Sequence, residues 1–509
     1  MFRYCVTEAV AYLDFKSDQR QKAFSFCRFC YTSSMTKITT SPKTLADIPK
    51  KYTHIILTED KPSWHRLVKA ADGSLEYRMG VGKWKNVDQR TFRTVVRSVV
   101  QAAKAHQLEH IAVQFSNSPF PKLTEYGDEW VVRTIAENLE LAHYEFTKYK
   151  TRKKSEKGLK EILVCGGMSA AEKRSFSAGQ VIGQSANFTR DIANTTGEHM
   201  TPSELAKAAK EAVKGTKVSV KILNMAAIKK EGMGLLEAVG KGAADGPCLI
   251  VMEYWGAGKP TKKDKSKAPI ALIGKGITYD SGGLNVKPGG FMHEMHMDMS
   301  GGAAMIGTMR AIAKLGVKKN VIAVIAAAEN SISRDSMRAG DIATSMSGKT
   351  VEILHTDAEG RLVLADAMTY AEKYYSPRVM LDAATLTGAS LAALGQHTSA
   401  VLTKDKALAD QIVELGEDAG DLMWPLPLWD EYKAMLKTYR ADLSNIASNF
   451  SRYGGCIEGG IFLAHFAPKK TPWAHLDIAP RMTSIPSDKL AKGATGEPVR
   501  LLVKFVEEY

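Results

Sequence analysis

Two short segments of the chain concentrate the side chains that can bind metal ions. The first, ALIGKGITYDSGGLNVKPGGFMHEMHMDMSGG, begins as an apolar strand that we expect to end at Ile273. Glycine-rich sequence follows, which permits backbone turns that other residues resist, and α/β proteins place their ligands on loops at strand ends. The polar candidates of this segment are Lys275, Asp280, Lys287 and Asp298.

The second segment, VEILHTDAEGRLVLADA, is predicted to form a turn between a strand and a helix. Its first residues alternate like a strand, and a helical pattern covers Leu362–Tyr375. Asp357, Glu359 and Arg361 therefore cluster at the turn. The two-residue spacing of the carboxylates can direct both toward one point where the local backbone is extended or turned.

The four carboxylates of these segments would repel each other in one cavity, which raises their pKa values unless cations neutralise them. Oxygen-rich sites with shared carboxylates suit a pair of divalent ions about 3.5–4 Å apart. A surface salt bridge or a helix cap explains any one of these residues, but the combination at glycine-rich strand ends favours a metal centre. His293 and His296 lie close by in sequence and are not assigned as ligands.

Four blocks of this sequence resemble the leucine aminopeptidase family of metallopeptidases, the cytosolic and hexameric kind. They are Gly274–Asp298, Thr356–Ala367, DAATLTGA at Asp382–Ala389 and WAHLDIA at Trp473–Ala479. The resemblance extends from about residue 190 to the C terminus, whereas the N-terminal part is similar only in position and α/β character. It implies a metal-dependent aminopeptidase that removes the N-terminal amino acid, leucine by preference, through a water activated by two metal ions.

The resemblance also implies a role for each candidate residue. One metal ion would be bound by Lys275, Asp280, Asp298 and Glu359, and the other by Asp280, Asp357 and Glu359. Lys287 would polarise the scissile carbonyl and stabilise the developing oxyanion. Arg361, a planar fork suited to a small oxyanion, would hold a bicarbonate that serves as general base. The ions would be zinc, manganese or cobalt, and Lys275 can ligate one only as a neutral amine.

Two features depart from the family pattern. His355 stands where an asparagine usually precedes TDAEGR, and Gly454–Gly460 reads GGCIEGG where a run of threonine and alanine is usual. That second segment borders the side-chain pocket in relatives, so the preference for the first residue of the substrate is left open. We assign Met295, Leu386 and Gly388 to this pocket, and simple core packing is the alternative for Met295.

The pattern of strands and helices that must position these residues predicts an α/β fold with two domains. Short apolar runs such as His54–Leu57 and Val321–Ala327 alternate with helical stretches such as Thr91–His106, which is typical of parallel or mixed sheets. We predict an extension over residues 1–34, a smaller N-terminal α/β domain over 35–175, a linker helix over 176–195, and a larger catalytic α/β domain with a central mixed sheet over 196–509.

The composition of the chain is that of a water-soluble globular protein, with 44% hydrophobic and 24% charged residues and no long apolar run. The formal net charge of +14 arises partly from Lys148–Lys160 and Lys259–Lys267, which we interpret as solvated loops. No phosphate-binding loop motif is present. Six cysteines do not make a disulfide framework, and Cys27 and Cys30 form one CxxC without a partner pair.

The resemblance implies a homohexamer that acts on peptides, and the cysteine usage and lack of a long apolar run predict a cytoplasmic protein with no membrane association. Organelle targeting by residues 1–34 is a minority interpretation, because acidic residues interrupt the segment. Two alternatives stay open: a dipeptidase of the same chemistry that acts on cysteinyl-glycine, and a nucleic-acid-binding protein that uses the basic loops.

Overall fold

The computed structural model describes residues 36–117, 120–151, 158–260, 265–451 and 453–509. The extension predicted over residues 1–34, with Cys27 and Cys30, lies outside the described residues. Parts of both basic runs, at 152–157 and 261–264, lie outside them as well. No helix in the described residues is both long and apolar enough to span a membrane.

The N-terminal part of the chain forms an α/β unit around one sheet. In the described residues its strands are β1 (Lys37–Ser41), β2 (Thr53–Thr58), β3 (His65–Lys69), β4 (Leu75–Gly80), β5 (His110–Val113) and β6 (Glu161–Cys165). Their order is β1-β6-β5-β2-β4-β3, and all neighbours are parallel except β3 and β4. Helices α1 (Gln89–Ala105) and α2 (Gly127–His143) contribute to its apolar core.

A 25-residue helix, α3 (Ala170–Asn194), connects this unit to the rest of the chain. Ser169 and Glu172 form a capping box at its start, which satisfies two backbone donors of the first turn. The helix is packed closely on both sides. A Cβ at Gly179 would lie 2.3 Å from the Arg133 carbonyl oxygen of α2, and Thr189 Oγ1 donates to the carbonyl oxygen of Ala303.

The C-terminal part is built on a larger mixed sheet. The strands that follow α3 among the described residues are β7 (Ser219–Leu223), β8 (Cys248–Trp255), β9 (Ile270–Asp280), β10 (Asn320–Asn330), β11 (Ile342–Thr344), β12 (Thr350–Glu352), β13 (Val379–Ala384), β14 (Ser399–Leu402), β15 (Met423–Pro425), β16 (Leu443–Ser444) and β17 (Trp473–Asp477). Strands β11, β12 and β16 form a separate small sheet, and the others are ordered β15-β14-β17-β13-β9-β10-β8-β7. Strands β17, β13, β9 and β10 are mutually parallel, whereas β7, β8 and β14 introduce antiparallel pairs.

Helices cover both faces of this sheet. Those that follow α3 in the described residues are α4 (Pro202–Ala212), α5 (Met225–Glu231), α6 (Gly234–Gly240), α7 (Ser300–Leu315), α8 (Gly360–Tyr375), α9 (Gly388–Leu394), α10 (Lys406–Ala419), α11 (Gly455–Ala464) and α12 (Val499–Glu508). Successive side chains of β9 point to opposite faces: Ile270 and Leu272 pack with α4, α7 and α12, and Ala271 and Ile273 pack with α6, α8 and α11. Coverage on both faces explains the continuous apolar runs of these strands.

The predicted fold class is confirmed: two α/β parts, the second larger and built on a mixed sheet. The domain limits at residues 175 and 195 stay predictions.

One local prediction is wrong. The strand expected to end at Ile273 continues as β9 to Asp280, so Lys275 and Asp280 lie in a strand and not in a loop. Gly274 and Gly276 lie within this strand, where they allow close packing. A Cβ at Gly274 would lie 2.7 Å from the Gly302 Cα of α7, which leaves no room for a side chain there.

Candidate metal centre

The candidate residues meet where three parallel strands of the large sheet end. Asp280 is the last residue of β9 and is opposite Asn330, the last residue of β10. Thr385 follows β13, the neighbour of β9 on the other side. Because the carboxyl ends of parallel strands share one edge of a sheet, side chains from distant parts of the sequence converge there.

Glycines set the path of the chain after β9. Gly282 and Gly283 have φ of +87° and +64°, in the left-handed region that side chains disfavour. A Cβ at Gly283 would also lie 2.9 Å from Thr356 Oγ1. Thr356 in turn donates to the Gly282 carbonyl oxygen at 2.6 Å and accepts from the Asn285 N–H at 2.8 Å. These bonds tie the loop after β9 to the loop that carries Asp357.

Lys275 lies at the centre of one half of the site. Its Nζ is 2.7 Å from Asp298 Oδ2 and 2.9 Å from Glu359 Oε1, and it donates to the Thr385 carbonyl oxygen at 3.0 Å. All three side chains in this ion-pair cluster are at most 5% exposed. Gly360 makes the approach possible, because a Cβ there would lie 2.5 Å from Lys275 Cε.

Lys287 occupies the other half of the site. Its Nζ is 2.8 Å from Asp280 Oδ2 and 2.5 Å from Asp357 Oδ1. The second oxygen of Asp280 accepts from the Gly282 N–H at 2.9 Å and from Asn330 Nδ2 at 2.8 Å. Lys287 is the more open of the two lysines, with 15% of its side chain exposed against 3% for Lys275.

The donor atoms fit divalent cations. One carboxylate oxygen from each of Asp280, Asp357 and Glu359 lies within 4.8 Å of the others. Glu359 Oε2 is buried and has no hydrogen-bond partner among the described residues. A buried carboxylate oxygen without a partner is costly, and a cation would satisfy it. Carboxylate oxygens are hard donors that suit divalent cations such as manganese.

The pKa shifts at the site follow from its crowded negative charge. Burial, and then the Asp280 and Glu359 carboxylates, raise the pKa of Asp357 to about 7. Burial also raises the pKa of Asp298 well above its usual value. Burial by itself would lower the pKa of Lys275, but Asp298 and Glu359 outweigh it and raise the pKa above the usual value. The carboxylates thus hold protons and ammonium groups that a divalent cation can replace.

Arg361 lies beside the metal-ligand candidates, in the first turn of α8. It is 5% exposed, and its Nη1 donates to Glu458 Oε1 at 2.8 Å and to the Asn445 carbonyl oxygen at 2.5 Å. Its Nε is buried without a hydrogen-bond partner in the described part of the chain. This donor fits a small anion, so the bicarbonate implied by the resemblance is compatible with the residues present.

The three predicted pocket residues lie around the same edge of the sheet. Leu386 is half-buried and is held by its N–H, which donates to Asp477 Oδ1 at 3.1 Å. Gly388, at the start of α9, is exposed, and Met295 is half-buried three residues before Asp298. Gly459 packs against this region, since a Cβ there would lie 2.9 Å from Leu386 Cδ2.

Several residues that support the site were not predicted from the sequence. Thr385 donates to Asp298 Oδ1 at 2.7 Å, and Asn330 bridges Asp280 and the Thr356 carbonyl oxygen. Asn445 accepts from the His355 N–H and donates to the His355 carbonyl oxygen. Asn330 is a polar residue at the end of a buried strand, and this position is a sequence signal that could have identified it as a site residue. Thr385 lies in the DAATLTGA block, but that block by itself indicates no role for Thr385.

Comparison with known proteins covers both parts of the chain. Residues 187–503 match the catalytic domain of the cytosol aminopeptidase family, and residues 78–153 match the N-terminal domain of the same family. The second match extends the relationship to the N-terminal part, where the sequence blocks had given only a similarity of position.

Individual relatives support the same family assignment. A probable cytosol aminopeptidase of Methylobacillus flagellatus is 37% identical over 457 residues, 88% of this chain and 89% of the relative. One of Pseudomonas fluorescens is 41% identical over 433 residues, 84% of each chain. Among solved structures, the bottromycin maturation enzyme BotP in complex with Mn has a TM-score of 0.79 at 28% identity, over 93% of this chain and 99% of that one. The chain therefore belongs to the cytosol aminopeptidase family of metal-dependent aminopeptidases.

Proposed function

We propose that this protein hydrolyses the N-terminal residue of peptides, with a preference for leucine, at a centre of two divalent metal ions. The observation that carries the proposal is the convergence of Lys275, Asp280, Asp298, Asp357 and Glu359 on one buried edge of the sheet, with contacts of 2.5–2.9 Å to two lysines. Asp280 and Glu359 would serve both ions, as the family resemblance implies. Bound ions would supply Lewis-acid chemistry, which lowers the pKa of water toward neutrality.

The remaining side chains act on the substrate. Lys287 is partly exposed and keeps its proton, because Asp280, Glu359 and Asp357 outweigh its burial and raise its pKa above the usual value. A fixed ammonium at this position polarises the scissile carbonyl and stabilises the negative charge that develops on its oxygen. The free α-amine of the peptide would also be held by a bound ion, which would account for removal of a single residue.

Arg361 is proposed to hold a bicarbonate through its Nε, which has no hydrogen-bond partner among the described residues. The anion would supply a general base, which accepts a proton during attack on the peptide bond. Leu386, Gly388 and Met295 are proposed to line the pocket for the first side chain. Leu386 and Met295 are apolar and half-buried, which supports a preference for an apolar first side chain.

The protein is further proposed to be a cytoplasmic homohexamer with peptide substrates. The relatives described as cytosol aminopeptidases support the compartment. The assembly rests on the resemblance of the sequence to a hexameric family.

The direct test is release of leucine from a leucine anilide by the full-length protein. We expect activity that a chelator abolishes and that Mn²⁺ or Zn²⁺ restores. A panel of aminoacyl anilides and cysteinyl-glycine then separates a leucine-type enzyme from a narrow dipeptidase, because the latter hydrolyses only the dipeptide. Absence of metal-dependent release from every aminoacyl substrate contradicts the proposal.

A further inference from the structure

Glu458 forms a buried ion pair with Arg361 that ties α11 to α8. Glu458 Oε1 accepts from Arg361 Nη1 at 2.8 Å, and both side chains are at most 7% exposed. Glu458 belongs to GGCIEGG, the segment whose sequence departs from the family pattern. The departure therefore lies in direct contact with the arginine that we propose to bind a small anion.

The Glu458 carboxylate is held at both of its oxygens. Oε2 accepts from the Ala447 N–H at 2.8 Å, and Ala447 lies two residues after Asn445, whose carbonyl oxygen accepts from Arg361 Nη1. The loop 445–447 and the first turns of α11 thus fix the carboxylate in one orientation. Its position is set by the backbone, because two separate backbone groups contact the same ion pair.

The neighbouring residue on another side of the guanidinium is a glycine. A Cβ at Gly459 would lie 3.6 Å from Arg361 Nη2 and 3.3 Å from Thr387 Cγ2. The lack of a side chain at Gly459 therefore leaves room beside Nη2. One end of the guanidinium is engaged through Nη1, and the Nε donor is left buried and without a partner among the described residues.

We infer that Glu458 is a positioning residue and built-in counter-ion that holds Arg361 by Nη1 and weakens the binding of bicarbonate at its Nε edge. The inference rests on the proposed function of Arg361. A fixed negative charge a few ångströms from a second anion changes the affinity for that anion by about tenfold or more at the effective dielectric of a protein. Bicarbonate is then bound in one orientation. The bicarbonate concentration needed to stimulate activity is higher than it would be in a protein that lacks the Glu458 carboxylate.

The test is titration of the zinc-loaded, full-length protein with ¹³C-labelled bicarbonate, with binding followed by NMR line broadening. Glu458→Gln removes the charge and keeps the size of the side chain, so we expect it to bind bicarbonate about tenfold more tightly than the native protein. Arg361→Met should abolish the binding in either background. Equal or weaker binding by Glu458→Gln overturns the inference.

Further variants keep the test decisive. Glu137→Gln makes the same change at another buried glutamate, whose ion pair with the partly exposed Arg133 is 3.2 Å long, and should leave bicarbonate affinity unchanged. If Glu458→Gln does not fold, Glu458→Asp is used in its place. It retains the negative charge but moves it away from Arg361 by one methylene, so it should bind bicarbonate a few-fold more tightly than the native protein does. An unchanged affinity in that variant also overturns the inference.

Activity provides a second readout. The bicarbonate concentration for half-maximal release of leucine from the anilide should fall about tenfold in Glu458→Gln, whereas a purely structural role would lower kcat without moving that concentration. The binding titration does not depend on turnover. A protein that binds bicarbonate as expected but hydrolyses no aminoacyl substrate would therefore contradict the proposed function and leave the role of Glu458 intact.

Discussion

Lys275 and Lys287 carry the same functional group in two different surroundings. Lys275 is 3% exposed, and its Nζ is surrounded by Asp298, Glu359 and the Thr385 carbonyl oxygen. Lys287 is 15% exposed and contacts Asp280 and Asp357 from the open side. The buried lysine is thus placed to act as a ligand, and the more exposed one is placed to reach a substrate.

Substitutions should separate the proposed metal ligands from Lys287, which is proposed to act on the substrate. Asp280→Ala and Glu359→Ala should each abolish metal occupancy at both sites, because each carboxylate is expected to serve both ions. Lys287→Ala should retain two metal ions and lose kcat by about 10²–10³-fold, the usual loss for one oxyanion-stabilising donor. Elemental analysis of the purified variants, together with steady-state kinetics, separates the two outcomes. Loss of metal from Lys287→Ala would show that its assigned role is wrong.

Metal binding should also depend on pH. Burial, Asp280 and Glu359 raise the pKa of Asp357 to about 7, and the pKa of Lys275 is raised above its usual value by Asp298 and Glu359 despite its burial. Lys275 is therefore protonated and Asp357 partly protonated at neutral pH, and a cation must displace these protons to bind. We therefore expect metal affinity to fall as the pH is lowered from 8 to 6. Calorimetric titration with Zn²⁺ in two buffers of different ionisation enthalpy should detect proton release, and an affinity independent of pH would contradict this assignment.

At the scale of elements, the contact of α7 with β9 and β13 positions the site. The helix starts at Ser300, two residues after Asp298, so its distance from the sheet sets the position of that ligand candidate. Gly301 and Gly302 allow the helix to lie against the strands. A Cβ at Gly301 would lie 2.0 Å from the Ala383 carbonyl oxygen, which is a backbone atom that cannot move aside cheaply.

Gly301→Ala should therefore destabilise the protein by about 1–3 kcal/mol or more, as overpacking against backbone does. It should also lower metal occupancy, because Asp298 is displaced with the helix. Gly289→Ala is the matched control in the same glycine-rich region, since a Cβ there meets nothing within 4 Å. Thermal denaturation of both variants measures the difference. Equal melting temperatures would mean that α7 can shift without cost.

Helix α3 shows why a sequence pattern alone underestimates a connecting element. The pattern predicted a linker helix, and a helix is present as Ala170–Asn194. Its second half is largely buried, and Arg190 donates to the carbonyl oxygens of Leu141 and Ala494. The helix is therefore a shared part of both cores, and substitutions in it should affect the two parts of the chain together.

At the scale of the whole molecule, the two α/β parts are joined by polar contacts as well as by α3. Arg93 Nη2 on α1 donates to the carbonyl oxygens of Glu417 at 2.9 Å and Asp418 at 2.6 Å. Arg133 on α2 forms an ion pair with Glu507 on α12 at 2.8 Å. These contacts hold the N-terminal part against helices of the large domain that lie away from the metal centre.

The proposed assembly is testable at this scale. We expect light scattering coupled to size-exclusion chromatography to give six times the chain mass of 55.6 kDa. Large aromatic side chains such as Trp429, Tyr439 and Tyr453 are 63–96% exposed in the single chain, and an assembly is one way to cover them. A monomeric mass at micromolar concentration would contradict the hexamer while leaving the chemistry of the site unaffected.

The sequence by itself determined the fold class of the protein and predicted a metal centre. The five ligand candidates lie in two short segments, and their residue types and local spacing indicate a metal centre without knowledge of the fold. Apolar runs covered on both faces, alternating with helical stretches, likewise indicated two α/β domains, because that pattern reflects local burial.

Only the tertiary structure decided which distant groups complete the site. Thr385 and Asn330 reach Asp298 and Asp280 because β13 and β10 flank β9, an arrangement that depends on strand order in the sheet. The extension of β9 to Asp280 was missed because glycines that pack against a helix look the same in sequence as glycines that turn. The pairing of Glu458 with Arg361 was missed for a related reason: contacts between α11 and α8 arise from packing across the fold, and no local pattern in either segment encodes them.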